Sequence, residues 1–350
     1  MPILSPFLLV LGLGGQAHPV SAPKPVVAAA PSAPMAVLKV LKVGGEGGWD
    51  YVTLDVEAGR LFVPRSTRVM VLDLAGKVVG EIPNTAGVHG VALAKDLDRG
   101  FTSNGRANTM TVFKLSTLEV IKEVKTTGEN PDAILYDAAT KQVFTFNGRG
   151  QNATVFDAAT LEVKGTIPMG GKPEFPACDG KGHVFVNVED TSELLAIDAK
   201  ALKVEARWSL KPLVDPTGLA MDVAHQRLFA VGGNKLMAVV DARTGKILAT
   251  LPIGEGCDGA AFDPGTGNAY ASNGEGTLTV VRGDSKGHYA AVGTFPTKKG
   301  ARTLVVDEKT HRVFLPTAEF GLAPADQPGQ RSRPPMVAGS FQILVVGAGN

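Results

Sequence analysis

The chain has 350 residues, with 35 basic and 34 acidic side chains and a formal net charge of +1. That length allows one large hydrophobic core. The near-zero charge removes the electrostatic case for nucleic acid or an anionic membrane surface as a partner.

The first predicted element is a secretory signal over residues 1–22. Ile3 to Leu13 is apolar but too short to span a bilayer, and Gln16-Ala17 and Val20-Ser21-Ala22 offer small-residue cleavage contexts. No Lys or Arg precedes Lys24, so the n-region is atypical. The expected location is the periplasm or the outside of the cell. Residues 23–35 are rich in Ala and Pro and read as a linker without a core of its own. No transmembrane segment is expected.

Over residues 36–350 one phrase recurs. Its clearest copy is DGAAFDPGTGNAYASN, Asp258 to Asn273: an apolar strand, a tight turn and a second apolar strand. Related phrases begin at Asp50, His89, Asp132, Glu174, Thr217 and Arg302, with the turn one residue shorter after His89 and Glu174. Internal repetition decides the fold class before any single element does. An aromatic residue in the second strand marks the period: Phe62, Phe101, Phe144, Phe185, Phe229, Tyr270 and Phe314, spaced 39 to 44 residues apart. Each repeat carries four short apolar runs, which in the fifth are 218–223, 227–231, 235–241 and 246–252. Four strands per unit of this length predict an all-β fold, a single seven-bladed β-propeller with antiparallel meander blades. The third run ends in Asp73, Asp157, Asp198 and Asp241, each expected to accept backbone hydrogen bonds in the next turn; Lys114 departs from the pattern.

The last repeat supplies only three strands, 303–307, 312–316 and 341–347. Residues 36–45 match the fourth-strand pattern of 77–83, so the N-terminal run is expected to join the C-terminal blade and close the ring. Between the second and third strands of that blade lies a long Pro-rich loop, 321–340, locally basic at Arg331 and Arg333. A loop of that length without periodicity is functional or disordered, and this one reads as a stiff lid. Cys178 and Cys257 fall in non-adjacent repeats and are expected as free thiols.

The ends of the second strands, YASN (270–273), FTSN (101–104) and FTFN (144–147), resemble the name motif of the YVTN-repeat, YncE-like β-propellers. The turn DPGTG (263–267) and VVDARTGKILATLPIG (239–254) are similar to the same family, over about 36–350. Arg65, Val188, Gly232 and Thr317 replace the motif's final Asn. The resemblance implies the fold of the quinoprotein amine dehydrogenase heavy chain and of propeller lactonases. It implies no single activity.

Aligning the repeats on their first strand gives one polar position per blade: Asp50, His89, Asp132, Glu174, Thr217, Asp258 and Arg302. These open the innermost strands and are expected at the mouth of the central channel. Asn104, Asn147 and Asn273 are expected in an outer ring beside them, together with Glu189, Asn234 and Glu319. Asp50, His89, Asp132 and Glu174 lie on consecutive blades, and their oxygen and imidazole donors suit a divalent metal ion. The same arc suits hydrolysis, with His89, Asp132 and Glu174 as catalytic groups. Arg302 lies between Asp258 and Asp50 on the ring and can pair with either or grip a substrate carboxylate. The ring reads equally well as solvated lining with blade-to-blade ion pairs. Nucleophile-elbow, HExxH, P-loop, dinucleotide-binding and CxxC motifs are missing.

Three functions stay open at this point. The favoured one is an exported, monomeric binding scaffold that engages a small ligand or a protein through its loop-rich face and channel mouth. The others are a metal-dependent, lactonase-like hydrolase and a purely structural or interaction propeller.

Overall fold

The structure is a computed structural model that describes residues 34–322 and 334–349. The expected signal, nearly all of the linker and the middle of the Pro-rich loop lie outside the described residues. The described chain folds into seven sheets of four antiparallel strands, the blades of a propeller. Blade 2 shows the plan: strand a is Val88–Ala94, b is Arg99–Asn104, c is Thr109–Lys114 and d is Val120–Lys125. In blades 1 to 6 consecutive strands are neighbours because the turns between them are short. A turn of 3-10 helix, Lys95–Leu97, spans the shortened a–b turn of this blade.

Burial follows position in the blade. Strands b and c are covered on both faces by the adjoining blades, so Asn268–Asn273 is buried throughout. Strand d is the outer edge and alternates, as in Lys203–Ser209. The aromatics that set the sequence period are all buried, at 0–3% exposure. They pack between blades: Phe62 lies 5.9 Å from Phe113 of blade 2, and Phe229 stacks on Phe262 of blade 6 at 5.4 Å. Strand a of one blade packs against strand a of the next, which makes it the lining of the central channel.

The c–d turns are held as their sequence predicts. Asp73 accepts backbone hydrogen bonds from Ala75 and Lys77, Asp157 from Ala159 and Thr160, and Asp198 from Lys200 and Ala201. In the turn after Asp241, Gly245 adopts φ +70° beneath the Trp208 ring, where a Cβ would come within 2.1 Å of ring carbon.

The ring closes as expected. Met35–Lys42 pairs antiparallel with Gln342–Ala348, from Met35 opposite Ala348 to Lys42 opposite Gln342. It forms the outer strand of blade 7, whose other three strands come from the end of the chain. A second tie at the closure was not foreseen. Arg65 is 0% exposed and donates to the carbonyls of Gly44, Gly45 and Gly47 at 2.8–3.1 Å. Its guanidinium also lies 3.9 Å from the centre of the Phe341 ring. Burial, with the Arg68 charge nearby, lowers its pKa to about 10, so it stays a cation at neutral pH. Cys178 is half-buried, Cys257 is buried, and both are free thiols. Among the described residues no helix is long and apolar enough to cross a membrane.

Candidate functional site at the channel mouth

In blades 2 to 6 strand a pairs with strand b at its first residue, and the register then shifts before pairing resumes. His89, Asp132, Glu174, Thr217 and Asp258 are the second residues of these strands and fall inside the irregularity. A bulge at this point breaks the regular alternation and re-aims a side chain. In blades 1 and 7 the equivalent residues, Asp50 and Arg302, lie just ahead of strands Thr53–Asp55 and Val305–Asp307.

The backbone of this ring is stitched from blade to blade. Ser103 donates to the carbonyl of Asp132, Ser272 to that of Arg302 at 2.5 Å, and Thr303 to that of Asp50 at 3.0 Å. Asn187 donates to the carbonyl of Thr217 at 2.9 Å. Each donor belongs to the blade before that of the ring residue. Each is buried, so each bond is made in a site with little competing water. The ring side chains therefore stand on a backbone fixed at several points.

Three ring residues converge most closely. The His89 Nδ1 atom lies 2.7 Å from Asp50 Oδ2 and 3.5 Å from Asp132 Oδ1. One donor atom from each of Asp50, His89 and Asp132 falls within 4.8 Å of the others. Asp132 Oδ1 is buried and has no hydrogen-bond partner. Burial would lower the His89 pKa, but the Asp50 hydrogen bond and the charges of Asp132, Asp50 and Glu174 outweigh it and raise it. Asp132 moves from its ordinary 3.8 up to about 6, chiefly because it is buried and despite the pull of His89.

Glu174 continues the arc through two residues outside the repeated pattern. Its carboxylate accepts from the Tyr51 hydroxyl at 3.3 Å and lies 2.6 Å from Lys172 Nζ, which also contacts Glu189. Burial and the Asp132 charge push Glu174 upward more than Lys172 pulls it down. Tyr51 is raised well above its usual range by burial and the surrounding carboxylates. On the far side, Arg302 pairs with Asp258 at 3.0 Å and lies 3.7 Å from Asp50. Burial raises Asp258, against the pull of Arg302.

Other sequence candidates are placed elsewhere. Thr217 donates its hydroxyl to the Cys257 carbonyl at 3.1 Å, a link between blades 5 and 6. Asn104, Asn147 and Asn273 are 0% exposed and turned into their blades. They donate to strand-c side chains: Asn104 to Thr109 and Thr111, Asn147 to Asn152 and Thr154, Asn273 to Thr277 and Thr279. The expected outer ring of asparagines is therefore a set of internal clamps. Their amides satisfy the hydroxyls of strands that are covered on both faces. The residue before the final Asn, Ser103 or Ser272, is the one that reaches the channel ring. Asn234 bonds the backbone at Val214 and Pro212, and Glu319 pairs with Lys298. Tyr51, Lys172 and the stitching serines were missed. Tyr51 adjoins Asp50 and Lys172 lies two residues before Glu174, but neither recurs in other repeats.

A cavity of about 440 Å³ reaches Asp50 and His89 of this cluster and is lined also by Trp49, Arg106, Asn130 and Arg149 among others. One imidazole and two carboxylates, one with an unpartnered oxygen, make a donor set suited to a divalent ion of the zinc or manganese type.

No protein-family model matches the chain, and no curated protein matches it in sequence. Among solved structures, hydrazine synthase of Kuenenia stuttgartiensis is similar over 77% of this chain and 92% of its own, with a TM-score of 0.66 and 16% identity. The likeness is one of fold, a seven-bladed propeller.

Proposed function

We propose that the protein is a propeller scaffold that binds a small ligand at its channel mouth, through one divalent cation held by Asp50, His89 and Asp132. The observation that carries this reading is the convergence of three donor atoms within 4.8 Å on a stitched backbone. A mixed imidazole and carboxylate set favours Zn²⁺ or Mn²⁺ over Ca²⁺, which prefers oxygen donors alone. The open cavity above leaves room for a ligand to complete the coordination. Export through residues 1–22 and membership of the YVTN-repeat group belong to the same proposal; cell fractionation tests the first.

The test is calorimetric titration of chelator-treated protein with Zn²⁺ and with Mn²⁺, alongside His89→Ala and Asp132→Asn. The expected result is one ion per chain, bound roughly tenfold or more weakly by either variant. Equal binding by all three proteins, or none by the wild type, rejects the reading.

A metal-dependent hydrolase is the second reading, and one observation favours it. Glu174 is pushed toward neutral pH beside the triad, as a general acid or base requires. Hydrolysis of lactone or ester probes that depends on both added metal and Glu174 would support it.

A further inference from the structure

A second pocket lies beside the first, on blades 7 and 1, and its lining is of another kind. Trp49, Phe320, Pro334 and Met336 give apolar walls to a cavity of about 440 Å³, with Lys299 and Arg302 as its charged lining residues. The wall has its own support. Phe320 bridges Met336, Gly321 N–H bonds the Pro335 carbonyl at 2.8 Å, and Val337 N–H bonds the Glu319 carbonyl at 2.9 Å. Trp49 is held between Phe341, at 5.3 Å, and Phe320, at 6.2 Å. The pocket is thus preformed from backbone ladders and packed rings.

Its two charged lining residues among those described are both basic. Lys299 is exposed and has no ion-pair partner among the described residues, whereas the adjacent Lys298 pairs with Glu319. Arg302 keeps 36% of its side chain exposed while meeting Asp258 through Nη1 and lying near Asp50 through Nη2. A guanidinium has five N–H donors, so these two contacts leave others for a ligand. Among the described residues no carboxylate lines this cavity. Its volume suits a small molecule.

We propose that this pocket binds an apolar monoanion, a carboxylate carried on an aromatic or branched hydrocarbon body. The body packs against Trp49, Phe320 and Met336. The carboxylate meets Lys299 and the remaining donors of Arg302, where charge-assisted hydrogen bonds give orientation. The cation site and this pocket share the Gly48–Trp49 edge, so the two can be filled side by side.

The test uses the full chain in the presence of a chelator, which separates it from the cation site. The probes are 2-naphthoate, its neutral amide 2-naphthamide, and the cation 2-naphthylmethylammonium, followed by calorimetry and tryptophan fluorescence. Naphthoate is expected to bind at one site, about tenfold more tightly than the ammonium probe. Lys299→Glu, on an exposed side chain, is expected to weaken naphthoate by about fivefold or more and to leave naphthamide within about twofold. Met336→Asp should weaken both naphthoate and naphthamide. Melting curves of each variant confirm the fold. Absence of saturable naphthoate binding, equal or tighter binding of the ammonium probe, or an unchanged naphthoate affinity in Lys299→Glu overturns the proposal.

Discussion

Replacing Asp132 by Asn should make the metal-free protein more stable. In the folded chain the Asp132 pKa rises from 3.8 to about 6, because burial disfavours the charged form more than His89 and Lys172 favour it. The folded state therefore holds this proton more tightly than the unfolded chain does. The sign follows: stability is greatest below the unfolded value near 4 and falls as pH rises to about 6. Above that the ionised carboxylate costs on the order of 3 kcal/mol, at 1.36 kcal/mol per unit. Asn removes the charge; the attraction to His89, 3.5 Å away, is already counted in that shift, and burying a polar amide in place of the neutral acid offsets part of the gain. The net gain is then about 1–2 kcal/mol at pH 7.5 and close to zero near pH 4. Urea unfolding of wild type and Asp132→Asn at both pH values, with chelator present, measures it. A variant that is less stable at pH 7.5, or one whose advantage is the same at both pH values, refutes the reasoning.

Three further outcomes follow from the same geometry. Arg65→Met leaves the Gly44, Gly45 and Gly47 carbonyls without their buried donor and should cost about 3–5 kcal/mol in urea unfolding. Ser103→Ala removes the stitch to the Asp132 carbonyl; it should lower stability by about 1 kcal/mol and weaken Zn²⁺ binding by roughly tenfold, with His89 and Asp132 intact. Removing residues 1–42 takes away the strand that pairs with Gln342–Ala348 and exposes a sheet edge. Size-exclusion chromatography should then show oligomers or aggregate in place of a single sharp species.

The architecture was legible because it is periodic. A buried aromatic from Phe62 to Phe314 recurs in every blade since every blade must fill the same gap against its neighbour. Closure was legible because residues 36–45 carry a fourth-strand pattern that has no other partner. The polar ring was legible for the same reason, as one position per repeat. What a repeat cannot encode is which of its members meet. Asp50, His89 and Asp132 converge, while Thr217 is spent on a backbone carbonyl. The terminal Asn of the second strand misled because a polar side chain beside a channel suggests ligand contact. Strand alternation instead sends Asn104 and Asn273 into the blade and leaves Ser103 and Ser272 to reach the ring. Tyr51 and Lys172 break the repeat, so periodicity gave no signal for either. Arg65, where three other repeats carry Asn, looked like a lost motif residue and is a buried tie at the ring closure.

The central claim is a cation on Asp50, His89 and Asp132, and anomalous diffraction from crystals grown with Zn²⁺ tests it most directly. The account predicts one strong peak about 2.0–2.3 Å from an imidazole nitrogen of His89 and a carboxylate oxygen of each Asp. Crystals that diffract with no peak there, with His89 still bonded to Asp50, would contradict it.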